Sequence, residues 1–377
     1  MKILIAPDKF KGSLSAHAVC TALSRGINKS KGSTSIRTHP MADGGDGSLT
    51  VIAAHLNLKK QYLETTDALG KNIVSSFCTY PDAISRQTSA GRSYFELAET
   101  SGLAKLSPIE RNPLNTTTYG TGKLMQKARH LGFYKQHLFL GGSSTHDLGL
   151  GIAAGVGFQF LDKNNKNFIP TGGTLNKIKK IVPPSHSQIS KQEINLICDV
   201  KNPLTGPEGA AMTYAFQKGA DLPMAKKLEA DTKYAADLLS EYCGRDISQF
   251  PGSGAAGGIP AGLSALLNAK ILPGFDFIAD ITHLEDHIKE ADIVISGEGR
   301  LDRQSLQGKV PSGVAKLCQK WNKPLILVTG QNTLGDEATS LFGSREVHSI
   351  LDLANSVEDA MDNAETYLEE IGAGLLG

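Results

Sequence analysis

Residues 291–309, ADIVISGEGRLDRQSLQGK, constrain the fold of this chain more than any other stretch. Residues 292–296 form a short apolar run rich in Ile and Val, the composition of a buried strand. The run stops at Gly297, and Glu298, Gly299, Arg300, Asp302, Arg303, Gly308 and Lys309 follow. Glycines let a backbone approach a ligand closely, and here both charge signs crowd into one predicted loop. Phosphoryl transfer uses this mix: cations and N–H groups hold phosphate oxygens, while carboxylates hold magnesium or accept a proton. Two further loops have the same character, residues 40–48 (PMADGGDGS) and 6–15 (APDKFKGSLS). The three read as one site assembled by folding.

The elements around these loops point to a parallel sheet. Residues 2–6 read as a strand, 15–27 as a helix with Ser15 as N-cap, 35–39 as a strand and 48–56 as a helix, a β-α-β-α order. The order returns late in the chain: strand 292–296, helix 311–321, strand 324–329 ending at Gly330, a weaker strand 347–350 and a final helix 356–376. Ser356 and Asp359 are spaced as a capping box. The middle differs, with strands predicted at 61–65, 72–80, 93–97, 137–140, 157–161 and 194–199, and helices at 117–131 and 224–242. The expected fold is therefore α/β with two domains. A parallel, Rossmann-like sheet domain is built from both chain ends (1–70 with 281–377), and a mixed α/β domain (71–280) is inserted. Ligands bind at the carboxyl ends of parallel strands. Loops 7–13, 41–48, 297–309 and 330–332 are accordingly expected along one sheet edge, facing loops 141–151, 199–209 and 252–262 across a cleft.

Composition excludes several classes. The 377 residues carry a net charge of +1 without a Lys/Arg run, which gives no footprint for nucleic acid or an anionic membrane. No run of about 18 apolar residues exists, and the apolar residues 3–6 are too few for a signal-peptide core. The five cysteines are scattered with no C-x-x-C pair, as in a cytoplasmic protein with reduced thiols. The P-loop pattern is absent: residues 121–124 contain Gly-Lys, but neither the upstream Gly nor the following hydroxyl residue. Protein-kinase motifs are absent too. Gly149, Gly151 and Ala154 fit a dinucleotide fingerprint, but the preceding strand is distant and no acidic residue stands about 20 positions on. Tight packing through small residues accounts for them better.

Each candidate residue has a structural alternative. Asp43 and Asp46 flank two glycines; an N-cap and turn would explain Asp46 alone, so the pair favours metal binding or proton acceptance. Asp8, Lys9, Lys11 and Ser13 follow the first strand and precede a helix, a ready anion site, although a solvated loop is the alternative. His146, between glycines with Asp147, is more often structural than a ligand. Asp199 suits a cleft carboxylate or a strand-end cap. Glu298 and Asp302 could share a magnesium ion or orient Arg300 and Arg303, with simple surface pairing as the competitor.

Together APDKFKGSLSA, PMADGGDGS, YGTGKL, GGSSTHDLGLG, CDVKNPLTGPEGA, SGAAGGIPAG and SGEGRLDRQSLQGK resemble the bacterial glycerate kinases of the first type, along almost the whole chain. The resemblance implies ATP-dependent phosphorylation of D-glycerate with Mg2+ and a two-domain shape. Many such enzymes yield 2-phosphoglycerate, while others were named for the 3-phosphate. The resemblance assigns no catalytic residue, so the roles come from residue chemistry. Asp43, Asp46, Lys9 and Asp199 are the catalytic candidates. Asp8, Lys11, Ser13, Gly297, Gly299, Arg300, Arg303 and Lys309 are candidates for phosphate and glycerate, and Glu298 and Asp302 for the metal. A nucleotide-linked dehydrogenase using the Gly149 loop, or a sugar-acid sensor without turnover, are the rival readings. The expected partners are small molecules, ATP and D-glycerate, with no nucleic acid or membrane; the oligomeric state is not legible.

Overall fold

Alternating apolar side chains decide how the first sheet is covered. In the computed structural model, which describes residues 1–30, 35–81, 91–185, 192–306 and 308–375, its strands are β1 (Lys2–Ile5), β2 (Ser35–Thr38), β12 (Ile293–Leu301), β13 (Leu325–Asn332) and β14 (Glu346–Ser349). All pair in parallel, in the order β14-β13-β12-β1-β2. Successive strand residues point to opposite faces. Ile3, Ile5, Ile293, Ile295, Ile326 and Val328 pack with Val19, Leu23 and Ile27 of helix Ala16–Ser30 and with Leu368 and Ile371 of helix Ala364–Gly374. Leu4, Val294 and Leu327 are buried on the other face, which helices Leu284–Glu290 and Val310–Lys320 cover. From β1 the chain crosses to β2 on one side, while β12 lies on the other. The carboxyl ends of β1 and β12 therefore flank a topological switch point, the place where open parallel sheets bind ligands.

The first helix continues to Ser30, past its expected end at 27, and Gly26 lies within it. A Cβ on Gly26 would lie 2.1 Å from the Glu369 carbonyl oxygen, and one on Gly372 would lie 2.7 Å from that of Leu23. Two glycines let these helices cross backbone to backbone.

The second sheet is mixed. Strands β3 (Lys59–Thr66), β4 (Asn72–Thr79), β5 (Arg92–Glu96), β6 (Lys135–Phe139), β10 (Glu193–Ile197) and β11 (Lys270–Leu272) pair in the order β11-β10-β6-β5-β4-β3. The four from β11 to β5 pair in parallel, and β4 pairs antiparallel with both β5 and β3. Three short strands, β7 (Gln159–Leu161), β8 (Asn167–Phe168) and β9 (Lys180–Val182), make a small antiparallel sheet. Phe77, Phe95, Phe133 and Leu138 belong to the core of this region.

The chain divides into two compact units, residues 1–43 with 273–377 and residues 44–272. Both boundaries differ from those drawn on the sequence, near 70 and 280. Residues 44–70 join the second unit because β3 pairs with β4 over its whole length and helix Ser48–His55 packs on β5. At the other end, helix Gly274–Ile281 belongs to the first unit.

Three local expectations are corrected. The predicted final helix is broken at Asn363 (φ −108°, ψ 18°) into Val357–Asp362 and Ala364–Gly374; Leu376, its predicted end, lies outside the described residues. Residues 252–262, expected as a loop, are irregular only as far as the left-handed kink at Ala256, Gly257 and Gly258, after which regular helix runs to Leu267. The third correction concerns β12 and bears on the site.

Candidate active site

The strand that opens the Gly-rich segment does not stop at Gly297. It runs to Leu301, with Gly297 opposite Val328, Glu298 opposite Thr329 and Arg300 opposite Gln331 of β13. Glycine usually weakens a strand, which is why the sequence reads as a loop. Here it permits close approach: a Cβ on Gly297 would lie 1.6 Å from the Val328 carbonyl oxygen, and one on Gly330 would lie 2.5 Å from that of Gly299. The Gly297 carbonyl also accepts from the Asp8 N–H at 2.8 Å, carrying the β1–β12 pairing beyond the end of β1. Met41 N–H donates to the Pro7 carbonyl at 2.9 Å and guides the chain towards Asp43.

These bonds gather three carboxylates in the first unit. Asp8 and Glu298 are buried, and Asp43 is half-buried. Burial first, and then the charge of Asp43, push Asp8 up to about 8, against the pull of Lys9; Glu298 adds to the rise. Burial likewise lifts Glu298 to about 7, opposed by the Ser305 hydroxyl and Lys309, while Asp43 and Asp302 push it further up. Lys309 Nζ stands 3.8 Å from Glu298 Oε2. The other oxygen of Glu298, Oε1, is buried without a hydrogen-bond partner. Hard oxygen donors of this kind, one of them unsatisfied, fit Mg2+. Among the described residues no three His, Cys, Asp or Glu side chains form a metal-holding group. A magnesium ion would take one or two of these carboxylates and complete its shell with phosphate and water.

The raised acids make a stability prediction. An acid whose folded pKa exceeds its unfolded value stabilises the fold in its protonated form; that contribution is lost as pH rises through the folded pKa. For Asp8 the window runs from 3.8 to about 8, and for Glu298 from 4.5 to about 7. The melting temperature in magnesium-free buffer is expected to fall between about pH 5 and pH 8, and to fall less in Asp8→Asn. Scanning calorimetry of both proteins across that range measures it; equal pH dependence in the two would contradict the assignment.

The remaining first-unit candidates are placed as follows. Residues 10–14 close a tight turn, with Phe10 N–H donating to the Leu14 carbonyl at 2.8 Å and Gly12 at φ +82°, leaving Lys11 exposed. The Ser13 hydroxyl donates to the Met361 carbonyl at 2.6 Å, tying this turn to helix Val357–Asp362. A Cβ on Gly299 would lie 3.1 Å from the Lys11 nitrogen, so β12 passes directly under that turn. Arg300 and Arg303 are exposed. Asp302 Oδ1 accepts from the N–H groups of Gln304 (2.8 Å) and Ser305 (3.2 Å), and Oδ2 lies 3.9 Å from Arg300 Nε. That carboxylate caps the turn 303–306.

In the second unit the carboxyl ends of β5, β6 and β10 share one edge, with Glu96 in register with Phe139, and Phe139 with Ile197. Asp199 follows β10 and is half-buried. Asp46 is exposed and lies against Glu96, which the sequence reading missed. Glu96 accepts from Gly47 N–H at 2.5 Å and Leu49 N–H at 3.2 Å. Burial lifts it to about 7; the Gly47 bond opposes this and Asp46 reinforces it. In loop 141–151 the buried Asp147 accepts from Thr118 N–H (2.7 Å), Thr118 Oγ1 (2.8 Å), Gly149 N–H (3.1 Å) and Gly151 N–H (3.2 Å). Gly149 and Gly151 thus serve a carboxylate-centred turn. His146 is buried, with Nε2 2.9 Å from Thr232 Oγ1, and burial lowers it to about 3. Lys218, also unforeseen, is buried and lowered to about 7; its Nζ donates to the Thr145 carbonyl at 2.6 Å.

Known proteins of one family resemble this chain in sequence and fold. The sequence profile described as the Glycerate kinase family matches residues 3–376. The chain belongs to the glycerate kinase family. It is similar to the glycerate kinase of Haemophilus influenzae, 39% identical over 331 residues (88% of this chain and 86% of the relative). It is 35% identical to the Halalkalibacterium halodurans glycerate kinase over 369 residues (98% and 95%). Against the glycerate 2-kinase of Escherichia coli K12 the identity is 33% over 365 residues (97% and 94%). The crystal structure of a protein provisionally named glycerate kinase 2, from Salmonella typhimurium LT2, superposes with a TM-score of 0.81 at 32% identity, covering 100% of this chain and 98% of that one. Membership in the glycerate kinase family makes this chain a kinase, a phosphotransferase with an alcohol group as acceptor.

Proposed function

We propose that this kinase transfers the γ-phosphoryl group of ATP to the 2-hydroxyl of D-glycerate, with magnesium. The family match over residues 3–376 carries this reading, and a relative named glycerate 2-kinase supports the 2-position. The buried acids supply the rest of the support. Mg2+ bound at Glu298 and Asp43 would neutralise developing phosphate charge. Asp8, whose carboxyl burial pushes up to about 8, would release its proton more readily with that cation beside it. Lys9, Lys11, Arg303 and Lys309 are assigned to phosphate oxygens, with the backbone at Gly297 and Gly299 giving close approach. Asp46 is assigned to accept the hydroxyl proton; its exposure leaves it reachable by a substrate. Arg300, exposed and only loosely paired, is assigned to the glycerate carboxylate, where a planar guanidinium donates two parallel bonds. Cytoplasmic residence is part of the proposal: the five cysteines carry no disulfide, and no helix among the described residues is long and apolar enough to cross a membrane.

Steady-state ADP release, with each substrate varied in turn, tests the reading. ADP formation is expected to require D-glycerate, glycerol is expected to be a very poor acceptor, and Arg300→Lys is expected to raise the KM for glycerate much more than that for ATP. Equal rises would move Arg300 to the phosphates, and efficient glycerol phosphorylation would remove the carboxylate anchor.

A further inference from the structure

Helix Ser48–His55 starts without a cap of its own: its N-cap is Gly47, at φ 86°, which has no side chain to accept the first N–H groups. Glu96, at the end of β5 and 49 positions from Gly47, takes that role through Gly47 and Leu49. The same carboxyl, in its protonated form, donates a hydrogen bond to Asp46. The turn also packs closely on the two glycines that follow β6. A Cβ on Gly141 would lie 2.2 Å from the Asp46 nitrogen, and one on Gly142 would lie 3.6 Å from Asp46 Cγ. The Asp46 turn is thus crowded by backbone and gripped by a single buried side chain.

We propose that Glu96 is a positioning residue for phosphoryl transfer, fixing Asp46 as proton acceptor by holding both the Asp46 carboxyl and the turn that carries it. This rests on the assignment of Asp46 under the proposed function. A purely structural cap needs only the two backbone bonds. The third bond, to the exposed acid of a Gly-rich loop beside the carboxyl ends of the parallel strands β5 and β6, gives Glu96 a path to the chemistry. Its own burial (7% exposed) keeps it from touching substrate.

The test is a double-substitution cycle on the full chain with Glu96→Gln, Asp46→Asn and both together, measuring kcat and both KM values, with melting temperature as a control. Gln keeps one acceptor and presents an NH2 group to the other N–H, so the turn shifts. Misplacement of a reacting group on this scale costs about 100-fold in rate. Glu96→Gln is expected to lower kcat by about that factor and to leave the KM for ATP within about twofold. In the Asp46→Asn background it is expected to cost nothing further, because residues that act as a unit are not additive. If Glu96→Gln fails to fold, Glu96→Asp replaces it, keeping the acid on a shorter arm. Unchanged kcat in the Glu96 variant, or a loss that multiplies in the double variant, overturns the proposal. Full turnover in Asp46→Asn overturns it through the base assignment and leaves the kinase reading standing. Absence of glycerate-dependent turnover in the unaltered chain overturns both.

Discussion

Asp43→Asn is expected to lower turnover by about 100- to 1000-fold while leaving the fold intact. The substitution changes one oxygen to nitrogen at a half-buried position, so packing is kept. What disappears is a charge that acts on two buried acids, since Asp43 raises both Asp8 and Glu298. A magnesium ion held among these groups would lose one hard donor, and stabilisation of the transferring phosphoryl group would weaken. The same change has a second signature, independent of turnover. Without the like charge both acids ionise more readily, so the fall in melting temperature between about pH 5 and pH 8 becomes shallower. Turnover assays at saturating magnesium and calorimetry across that range check the two effects. Near-wild-type turnover would make Asp43 a turn residue and nothing more.

Gly297→Ala is expected to leave little folded protein. The added methyl group would sit 1.6 Å from the Val328 carbonyl oxygen and 2.8 Å from its carbon, in the middle of the β12–β13 pairing. Backbone cannot give way there without breaking the sheet at the strand that also holds Asp8 through the Gly297 carbonyl. Clashes of this kind belong to the exceptional tail of substitutions, at about 4 kcal/mol or more. Gly374→Ala is the control: nothing lies within 4 Å of its Cβ position, so its unfolding midpoint is expected to stay near that of the unaltered chain. Urea unfolding of both variants is the measurement. A Gly297→Ala protein with the midpoint of the unaltered chain would show that the strands are not packed as described.

The parts of the fold that could be read from sequence were those where one physical signal dominates. Residues 292–296 are apolar throughout and form the buried start of β12. Gly297–Leu301 carry glycines and charges, so the strand that continues through them looked like a loop; only the neighbouring backbone of β13 explains the glycine. The close helix crossing at Gly26 was likewise invisible, because its partner Gly372 is remote in sequence. The acids around Asp8 were legible because they sit in Gly-rich segments after predicted strands, and the pairing of β1 with β12 places Asp8 beside the Gly297–Glu298 segment. Glu96 was not legible. It is a single acid at the end of an ordinary strand, and its partners Asp46, Gly47 and Leu49 lie almost fifty residues away. Lys218 escaped for a related reason, since nothing in its local sequence announces that its ammonium group is buried against Thr145.

Proton-coupled phosphorus NMR of the product formed from ATP, magnesium and D-glycerate tests the central claim most directly. Phosphate on the 2-position neighbours a single carbon-bound proton and gives a doublet, whereas on the 3-position it neighbours two and gives a triplet. The proposed function predicts a new phosphomonoester doublet that grows in step with ADP. A triplet would move the transfer to the primary hydroxyl, and ADP growing with inorganic phosphate alone would contradict glycerate as the acceptor.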